Sequence, residues 1–401
     1  KDIEGCKSQW KYKAVETEKE ALEGADFVVI SILPGTFDEM ESDVHTPEKY
    51  NIYQSVGDTA GPGGILRALR TIPMFEEIAE NIKKYCPDAW VINYTNPMTM
   101  CVKTLYKVFP EIKAFGCCHE VFGTQKLLVN ALEDIKGIKD VKREDIKVNV
   151  VGVNHFTWLT KAQYKDIDIF PVYREFAEKY KDNGFVKKSD ENWMNKYFSC
   201  SEKVKIDLFL RYGSIAAAGD RHLAEFCPGD WYLKDKETVE KWGFALTPVS
   251  WRKDDLEKRL ERSERLYSGE EKFELKETGE EGVQQIRALL GLGDLVTNVN
   301  IPNYGQIPNL PIGAVVETNA CFRANSLNPV FAGNIPQAIY PLISRVCGEQ
   351  EQVVDCALNR DLDGVFNAFA ADPNMCISVS DARKLFDEMV DNTKEYLKMY
   401  F

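Results

Sequence analysis

Histidine is scarce in this chain: four residues in 401, at His45, His119, His155 and His222. Few positions can therefore offer an imidazole as a metal ligand or as an acid–base group near neutral pH. Positive charge is also in deficit, with 50 Lys and Arg against 63 Asp and Glu and a net charge of −13. A nucleic-acid binder needs a basic field, so this balance argues against that class. It leaves small anionic substrates open, because local arginines override a global charge. No apolar run approaches the roughly 18 residues of a membrane span, and no signal peptide is read. No Gly-x-Gly-x-x-Gly and no P-loop spacing occur. Internal repeats and low-complexity linkers are absent as well. The eleven cysteines are odd in number and follow no small-disulfide-domain framework. Cys101, Cys347 and Cys356 lie in apolar runs and read as buried thiols, and a reducing cytoplasm is the simplest compartment.

What is present is an alternation. Short, nearly continuous apolar runs predict strands at Phe27–Leu33, Ala89–Tyr94, Ile112–Gly116 and Ile146–Val153. Helical patterns lie between them at about 63–85, 97–107 and 122–135. The expected fold class is α/β, with a Rossmann-like, mostly parallel sheet over residues 1–155. A second, α+β domain is expected over 156–401. Within it, 190–213 reads as helical and 251–281 as a strongly charged, solvated helix with a mobile end. Strands return at Asp294–Ile301 and Ala314–Thr318 around a Pro/Asn-rich loop, and helices at about 335–347, 350–358, 361–371 and 380–399 finish the chain. The run through Gly24 and the first strand reads as the middle of an α/β domain.

The loops after the first four strands carry the polar content, and in open α/β sheets ligands bind outside the strand carboxyl ends. Gly116-Cys117-Cys118-His119 and Gly152-Val153-Asn154-His155 each deliver a metal-type ligand there. Cys118 and His155 suit a divalent transition metal with open positions; the alternative is a buried Cys and a core His in a polar network. His119 reads as an acid, a base or a structural donor, and Glu120 as a solvated carboxylate or a partner that orients a histidine. Asn96 and Asn154 offer amides for hydroxyl groups, although Asn-Pro is also a common turn starter. Asp220, Arg221 and His222 form a polar knot: a proton-abstracting carboxylate with an arginine for a substrate carboxylate, or a capped turn with a surface ion pair. The glycine-rich stretch 57–64 opens a helix and offers backbone N–H groups to an anion or a nucleotide edge. Arg67 and Arg70 share a face of that helix, and Arg67 reads as a surface ion pair.

Taken together, these blocks resemble glycoside hydrolase family 4, the NAD- and manganese-dependent glycosidases. The resemblance rests on 22–29, Gly61-Pro62-Gly63-Gly64, Asn93-Tyr94-Thr95-Asn96-Pro97-Met98, the two Cys/His blocks and Asn300-Ile301-Pro302-Asn303, in family order over most of the chain. Residues 116–123, 153–158 and 219–226 look most like the α-galacturonidase branch. The α-galactosidase branch comes next, then the 6-phosphoglycosidases, which usually carry Asp where this chain has His119. An alternative of a different class is a NAD-dependent sugar or hydroxy-acid dehydrogenase.

The resemblance implies a mechanism unlike paired-carboxylate hydrolysis: NAD-dependent oxidation at C3, abstraction of the C2 proton, elimination of the aglycone and addition of water, with Mn2+ on the sugar oxygens. It implies that Cys118 and His155 hold the metal, that Asn96 and Asn154 bind substrate, that Asp220 is the C2 base and that Arg70 lies near the substrate. His119 is the candidate acid at the leaving group, and Arg221 or His222 is inferred to recognise a uronate carboxylate. NAD+ would contact Ser31, Leu33, Pro34 and Gly35 after the first strand, and Asn93 and Asn96 after the second. Residues 1–155 thus become the NAD-binding domain. Family members place a strand, a Gly-rich turn, a helix and a second strand ahead of such a region, on the order of 60 residues. A cytoplasmic homodimer or homotetramer acting on a small-molecule sugar substrate is expected, with no membrane or nucleic-acid partner.

Overall fold

A computed structural model describes residues 11–186, 197, 200–273 and 279–401. Its first sheet starts with parallel strands β1 (Phe27–Ile30), β2 (Trp90–Asn93) and β3 (Lys113–Gly116). Helices α1 (Glu18–Leu22), α2 (Phe37–His45), α3 (Gly61–Tyr85), α4 (Met98–Val108) and α5 (Glu120–Lys136) precede, separate and follow them. The strand cores are apolar, as expected for β2 and β3, where Val91, Ile92, Ala114 and Phe115 are buried. Strand β1 is the edge of the described sheet, and Val29 stands 55 % exposed on it.

The fourth predicted strand has the expected bounds but a different place. Strand β4 (Ile146–Val153) leaves the first sheet and pairs antiparallel with β5 (Phe156–Tyr164). With β6 (Ile167–Asp168) and β7 (Ile215–Ala216) they form a second sheet. A continuous apolar run does not distinguish a parallel strand from one sandwiched between two layers. Strand β4 is of the second kind: Val151 and Val153 join Phe156, Trp158, Phe226, Val316 and Ile339 in one core between the sheets. Since Val153 pairs with Phe156, Asn154-His155 is a two-residue hairpin turn, with His155 in the left-handed region at φ 63°.

Helix α6 (Ile169–Tyr180) and α7 (Lys203–Tyr212) cover the other face of the second sheet through Tyr173, Phe176 and Phe209. Helices α8 (Asp220–Phe226), α9 (Gly229–Tyr232), α10 (Lys236–Lys241) and α11 (Val249–Ser268) follow. The charged segment is a solvated helix, as read, but it ends at Ser268 rather than near 281, and residues 274–278 of the expected mobile end lie outside the described residues, as does most of 190–199. After α12 (Gly282–Leu289) the chain returns to the first sheet with β8 (Leu295–Pro302), β9 (Val315–Arg323) and β10 (Ser326–Pro329), all antiparallel. The loop before β9 is tied by one amide: the buried Asn303 Nδ2 donates to the carbonyls of Ile307, Leu310 and Pro311. Helices α13 (Tyr340–Leu358), α14 (Leu362–Ala371) and α15 (Val379–Asn392) pack on α3 through Ile65, Leu69, Val354, Phe366 and Phe386. The two helices expected between 335 and 358 are one. Cys101 and Cys347 are buried as expected, whereas Cys356 is half-buried.

The start of α7 holds a buried charge cluster. The Asp220 carboxylate accepts from the N–H groups of Val204 and Lys205 at 3.1 Å each and so caps the helix. Lys205, itself 2 % exposed, pairs with Glu202 at 2.7 Å. Although Cys200, Glu202 and Asp220 bring their ligand atoms within 4.8 Å of one another, the lysine already supplies the cation. Removing it leaves two carboxylates in a dry site. Lys205→Met is expected to cost about 3–5 kcal/mol in urea unfolding; a loss below about 1 kcal/mol would show that the cluster is solvated.

Candidate active site

The site forms where the loop before α3, the loop after β2, the β4–β5 turn and α8 meet. Glu225, on α8, pins the first of these: its Oε1 accepts from Val56 N at 2.6 Å and Gly57 N at 2.9 Å. That places Asp58. Its carboxylate accepts from Thr59 Oγ1 at 2.7 Å and from Asn96 Nδ2 at 3.2 Å. Thr59 Oγ1 also lies 3.0 Å from His155 Nδ1. The rings of His155 and His222 stack with centroids 3.8 Å apart. Ligand atoms of Asp58, His155 and His222 all lie within 4.8 Å of one another.

Electrostatics sets these groups in the form a cation needs. Burial opposes ionisation of Asp58, but His222, His155 and Arg67 outweigh it and hold the carboxyl well below its ordinary range. Burial, then repulsion from His222, brings His155 down to about 3, so its imidazole is neutral at physiological pH. Glu120 sits beside them, with Oε1 3.8 Å from His222 Nε2 and Oε2 accepting from Gly219 N at 2.6 Å. Burial would raise its pKa, but His222 and His155 pull it down to about 2. Among the described residues, Asn96 Oδ1, Asn154 Oδ1 and His222 Nδ1 are buried without a hydrogen-bond partner. Orphaned acceptors beside an anionic carboxylate and a neutral imidazole are the donor set of a hard or borderline divalent cation.

Cys118 lies outside that three-residue group. Burial, then Glu317 and Glu120, push its thiol well above the ordinary value. Glu317 is a buried carboxylate on β9 that accepts from Asn154 Nδ2 at 3.2 Å and Asn298 Nδ2 at 2.6 Å; the latter amide also reaches the Cys118 carbonyl at 3.2 Å. Glu317 therefore orients Asn154 and, through Asn298, the Cys118 backbone.

Several expected roles move. Asp220 is not brought to this cluster; it caps α7 instead. Two residues along a helix turn the side chain by about 200°, so His222, not Asp220, is presented to His155. Arg70 is 1 % exposed and committed to a two-point ion pair with Asp43, and its Nε donates to the Pro34 carbonyl at 3.3 Å. It is an internal tie for the loop after β1 rather than a substrate contact. Arg67, expected at the surface, is the buried arginine of the site and donates to the Asn96 carbonyl at 3.0 Å. Arg221 turns to the Ser55 carbonyl and Thr247 hydroxyl.

His119 stands at the rim, 65 % exposed, with Nδ1 2.9 Å from Glu280, a bond that raises its pKa. Asn93 is fully buried and its amide closes on Thr95 in both directions at 3.0 Å, while Thr95 Oγ1 accepts from Ile32 N. Ser31 and Leu33 are exposed beside these loops, with Gly35 in the left-handed region at φ 92°. In the glycine-rich stretch the glycine N–H groups are already used: Gly57 N donates to Glu225, Gly61 N to Asp372, Gly63 N to Gln54 and Gly64 N to the Ala60 carbonyl. Its glycines serve close approach, since a Cβ on Gly64 would lie 2.4 Å from the Thr59 carbonyl carbon.

Asp58, Arg67 and Glu317 were not assigned to the site from sequence. The one available signal was an acidic residue inside the apolar run 314–318.

Comparison with known proteins places this fold among the family 4 glycosyl hydrolases. Residues 1–134 match that family and 150–375 its C-terminal domain, and the chain belongs to it. It is 68 % identical over 391 residues to the α-galacturonidase of Thermoanaerobacterium saccharolyticum, covering 98 % of this chain and 84 % of that one. The α-galacturonidase of Bacillus subtilis is 53 % identical, covering 95 % and 84 %. The crystal structure of putative glucosidase lplD from Bacillus subtilis superposes with a TM-score of 0.91 at 53 % identity, covering 95 % of this chain and 86 % of that chain. A 6-phospho-α-glucosidase from gut microorganisms, solved with NAD and Mn2+, shares the fold at TM-score 0.78 and 21 % identity, over 95 % and 84 %.

The tie at Glu225 gives a pH test. Burial pushes this carboxyl up to about 7 from an ordinary 4.5. A folded-state pKa above the unfolded one contributes stability in full below about 4.5 and loses it as pH rises through 7, on the order of 3 kcal/mol in total. Glu225→Gln keeps the Oε1 acceptor and removes the titration. Between pH 4.5 and 8, wild type is expected to lose on the order of 3 kcal/mol more than the variant in urea unfolding; parallel profiles would contradict the assignment.

Proposed function

We propose that this chain is an α-galacturonidase that uses NAD+ and Mn2+. The observation that carries the reading is the 68 % identity, over nearly the whole chain, to a protein of that name. The site's donor set supports the metal. His155 and Asp58 would hold the ion, with Cys118 joining as the thiolate on loss of its proton. Ser31, Leu33, Pro34 and Gly35, with the Asn96 loop, would line the NAD+ site at the carboxyl ends of β1 and β2. When bound, NAD+ supplies a hydride acceptor for the sugar and Mn2+ a Lewis acid for its oxygens.

The chain's own work is to position the sugar and move protons. Asn96 and Asn154 each carry a buried amide oxygen without a hydrogen-bond partner and would fix sugar hydroxyls. His222 takes the C2 proton on Nδ1, the buried nitrogen with no protein partner. Glu120, anionic and 3.8 Å from the other ring nitrogen, stabilises the imidazolium that results. His119 at the rim, with its pKa raised by Glu280, is placed to protonate a departing aglycone.

The test is hydrolysis of nitrophenyl α-galacturonide, α-galactoside and a 6-phospho-α-glucoside with NAD+, Mn2+ and a thiol reductant. We expect the galacturonide to be preferred by at least about a hundredfold in kcat/KM, roughly 3 kcal/mol of transition-state discrimination. Activity should be lost on chelation and regained with Mn2+. Preference for either other sugar, or full activity in chelator, would overturn the reading.

A further inference from the structure

Glu317 is the acidic residue inside the apolar run 314–318, and it is 1 % exposed. Burying a carboxylate is costly unless its oxygens are met, and here amides meet them rather than a lysine or arginine. Its Oε1 accepts from Asn298 Nδ2 at 2.6 Å and its Oε2 from Asn154 Nδ2 at 3.2 Å. Asn298 and Glu317 sit at neighbouring positions of the β8–β9 ladder, where Asn298 pairs with Asn319 and Asn300 with Glu317. Asn154 comes from the other sheet, in the β4–β5 turn, one residue before His155. The carboxylate thus ties the two sheets together.

The two amides are not equally free to turn. Asn298 Nδ2 has a second acceptor in the Cys118 carbonyl at 3.2 Å, so two oxygens hold that nitrogen in place. Asn154 Oδ1 is buried with no hydrogen-bond partner, so no bond at that end resists a half-turn of the amide. An ionised carboxylate only accepts, and an amide donates only through its nitrogen. Glu317 therefore holds Asn154 by Nδ2 and leaves Oδ1 as the free end. A neutral glutamine at 317 would keep one acceptor and bring one donor. The acceptor would go to Asn298, whose nitrogen is held twice. The donor would face Asn154, which satisfies it by turning its oxygen inward and its nitrogen out.

We infer that Glu317 is a positioning residue for the sugar: its carboxylate fixes the sense of the Asn154 amide, so that this amide offers a sugar hydroxyl an acceptor and not a donor. Glu317 acts through Asn154 and not on the reacting atoms. A carboxylate can accept from both amides at once, which accounts for an anion placed in an apolar strand. The inference rests on the reading of Asn154 as a sugar contact under the proposed activity.

The test is a double-mutant cycle on the NAD+- and Mn2+-loaded enzymes: wild type, Glu317→Gln, Asn154→Asp and the two changes together. It is run at pH 8, above the value of about 7 to which burial pushes the Glu317 carboxyl. Calorimetry, which needs no turnover, measures binding of galacturonate, galactose and glucose 6-phosphate, and the cycle is read on the sugar that wild type binds most tightly. Glu317→Gln is expected to weaken that binding at least about thirtyfold, and Asn154→Asp, which sets two carboxylates face to face, at least as much. In the double variant the glutamine amide donates to one oxygen of the new carboxylate, and the other oxygen stands where Oδ1 stood. Its affinity should return to within about fivefold of wild type. The comparison of the double variant with Glu317→Gln carries the test, because a purely structural role for Glu317 gives no recovery when position 154 is changed. A double variant as weak as Glu317→Gln would overturn the inference, as would a loss under about threefold in Glu317→Gln itself. If wild type binds galactose or glucose 6-phosphate more tightly than galacturonate, the α-galacturonidase reading fails, and the cycle on the preferred sugar still decides the role of Glu317. A wild type that binds none of the three removes Asn154 as a sugar contact and the inference with it.

Discussion

The half-buried Asp58 carboxylate facing the stacked imidazoles of His155 and His222 is the interaction on which the site depends. A carboxylate drawn partly out of water is costly, and this one is held ionised by Arg67 and by hydrogen bonds from Thr59 and Asn96. Each neighbour arrives from a separate part of the fold. His155 is held in a two-residue turn between β4 and β5, His222 rides on α8, and Arg67 projects from the first turns of α3. Glu225 fastens the Asp58 loop to α8, so the helix that carries His222 also fixes the carboxylate it faces. The second sheet therefore positions one imidazole and a single short helix positions both of its partners.

The division of labour on α8 follows from its periodicity. Asp220 faces α7 and ends that helix's unpaired N–H groups, where Lys205 and Glu202 complete a closed charge cluster. His222, on the opposite side, meets Glu120 and His155. Arg221 and Glu225 secure the segment in between. One seven-residue helix thus serves a structural cluster on one face and the proposed chemistry on the other, with no side chain asked to do both.

Much of this was legible in the sequence. The strand–helix alternation, the bounds of β4 and the Cys118 and His155 blocks were visible as local patterns. The antiparallel turn of β4 was not, because apolar continuity looks the same in a parallel strand and in one packed between layers. Arg67 was read as a surface ion pair and Arg70 as a substrate contact, and both are buried. Both lie on the same face of α3, and only the position of Asp43 on α2 and of Asn96 after β2 decides which one is tied internally and which one meets the crevice. Asp58 was hidden in a glycine-rich stretch whose glycine N–H groups are taken by Glu225, Asp372, Gln54 and the Ala60 carbonyl. Asp220 and His222 are two residues apart, so the sequence placed them together; the helix sends them to opposite sides.

The central claim is that the His222 face of α8, and not the Asp220 face, meets the reacting carbon. It is tested most directly by NMR measurement of solvent deuterium exchange at C2 of the sugar in D2O, with NAD+ and Mn2+ present. The account predicts that His222→Gln abolishes the exchange while a folded Asp220→Asn protein retains it at a rate within about tenfold of wild type, or about 1.4 kcal/mol in barrier. Loss of exchange in Asp220→Asn with its retention in His222→Gln would contradict it.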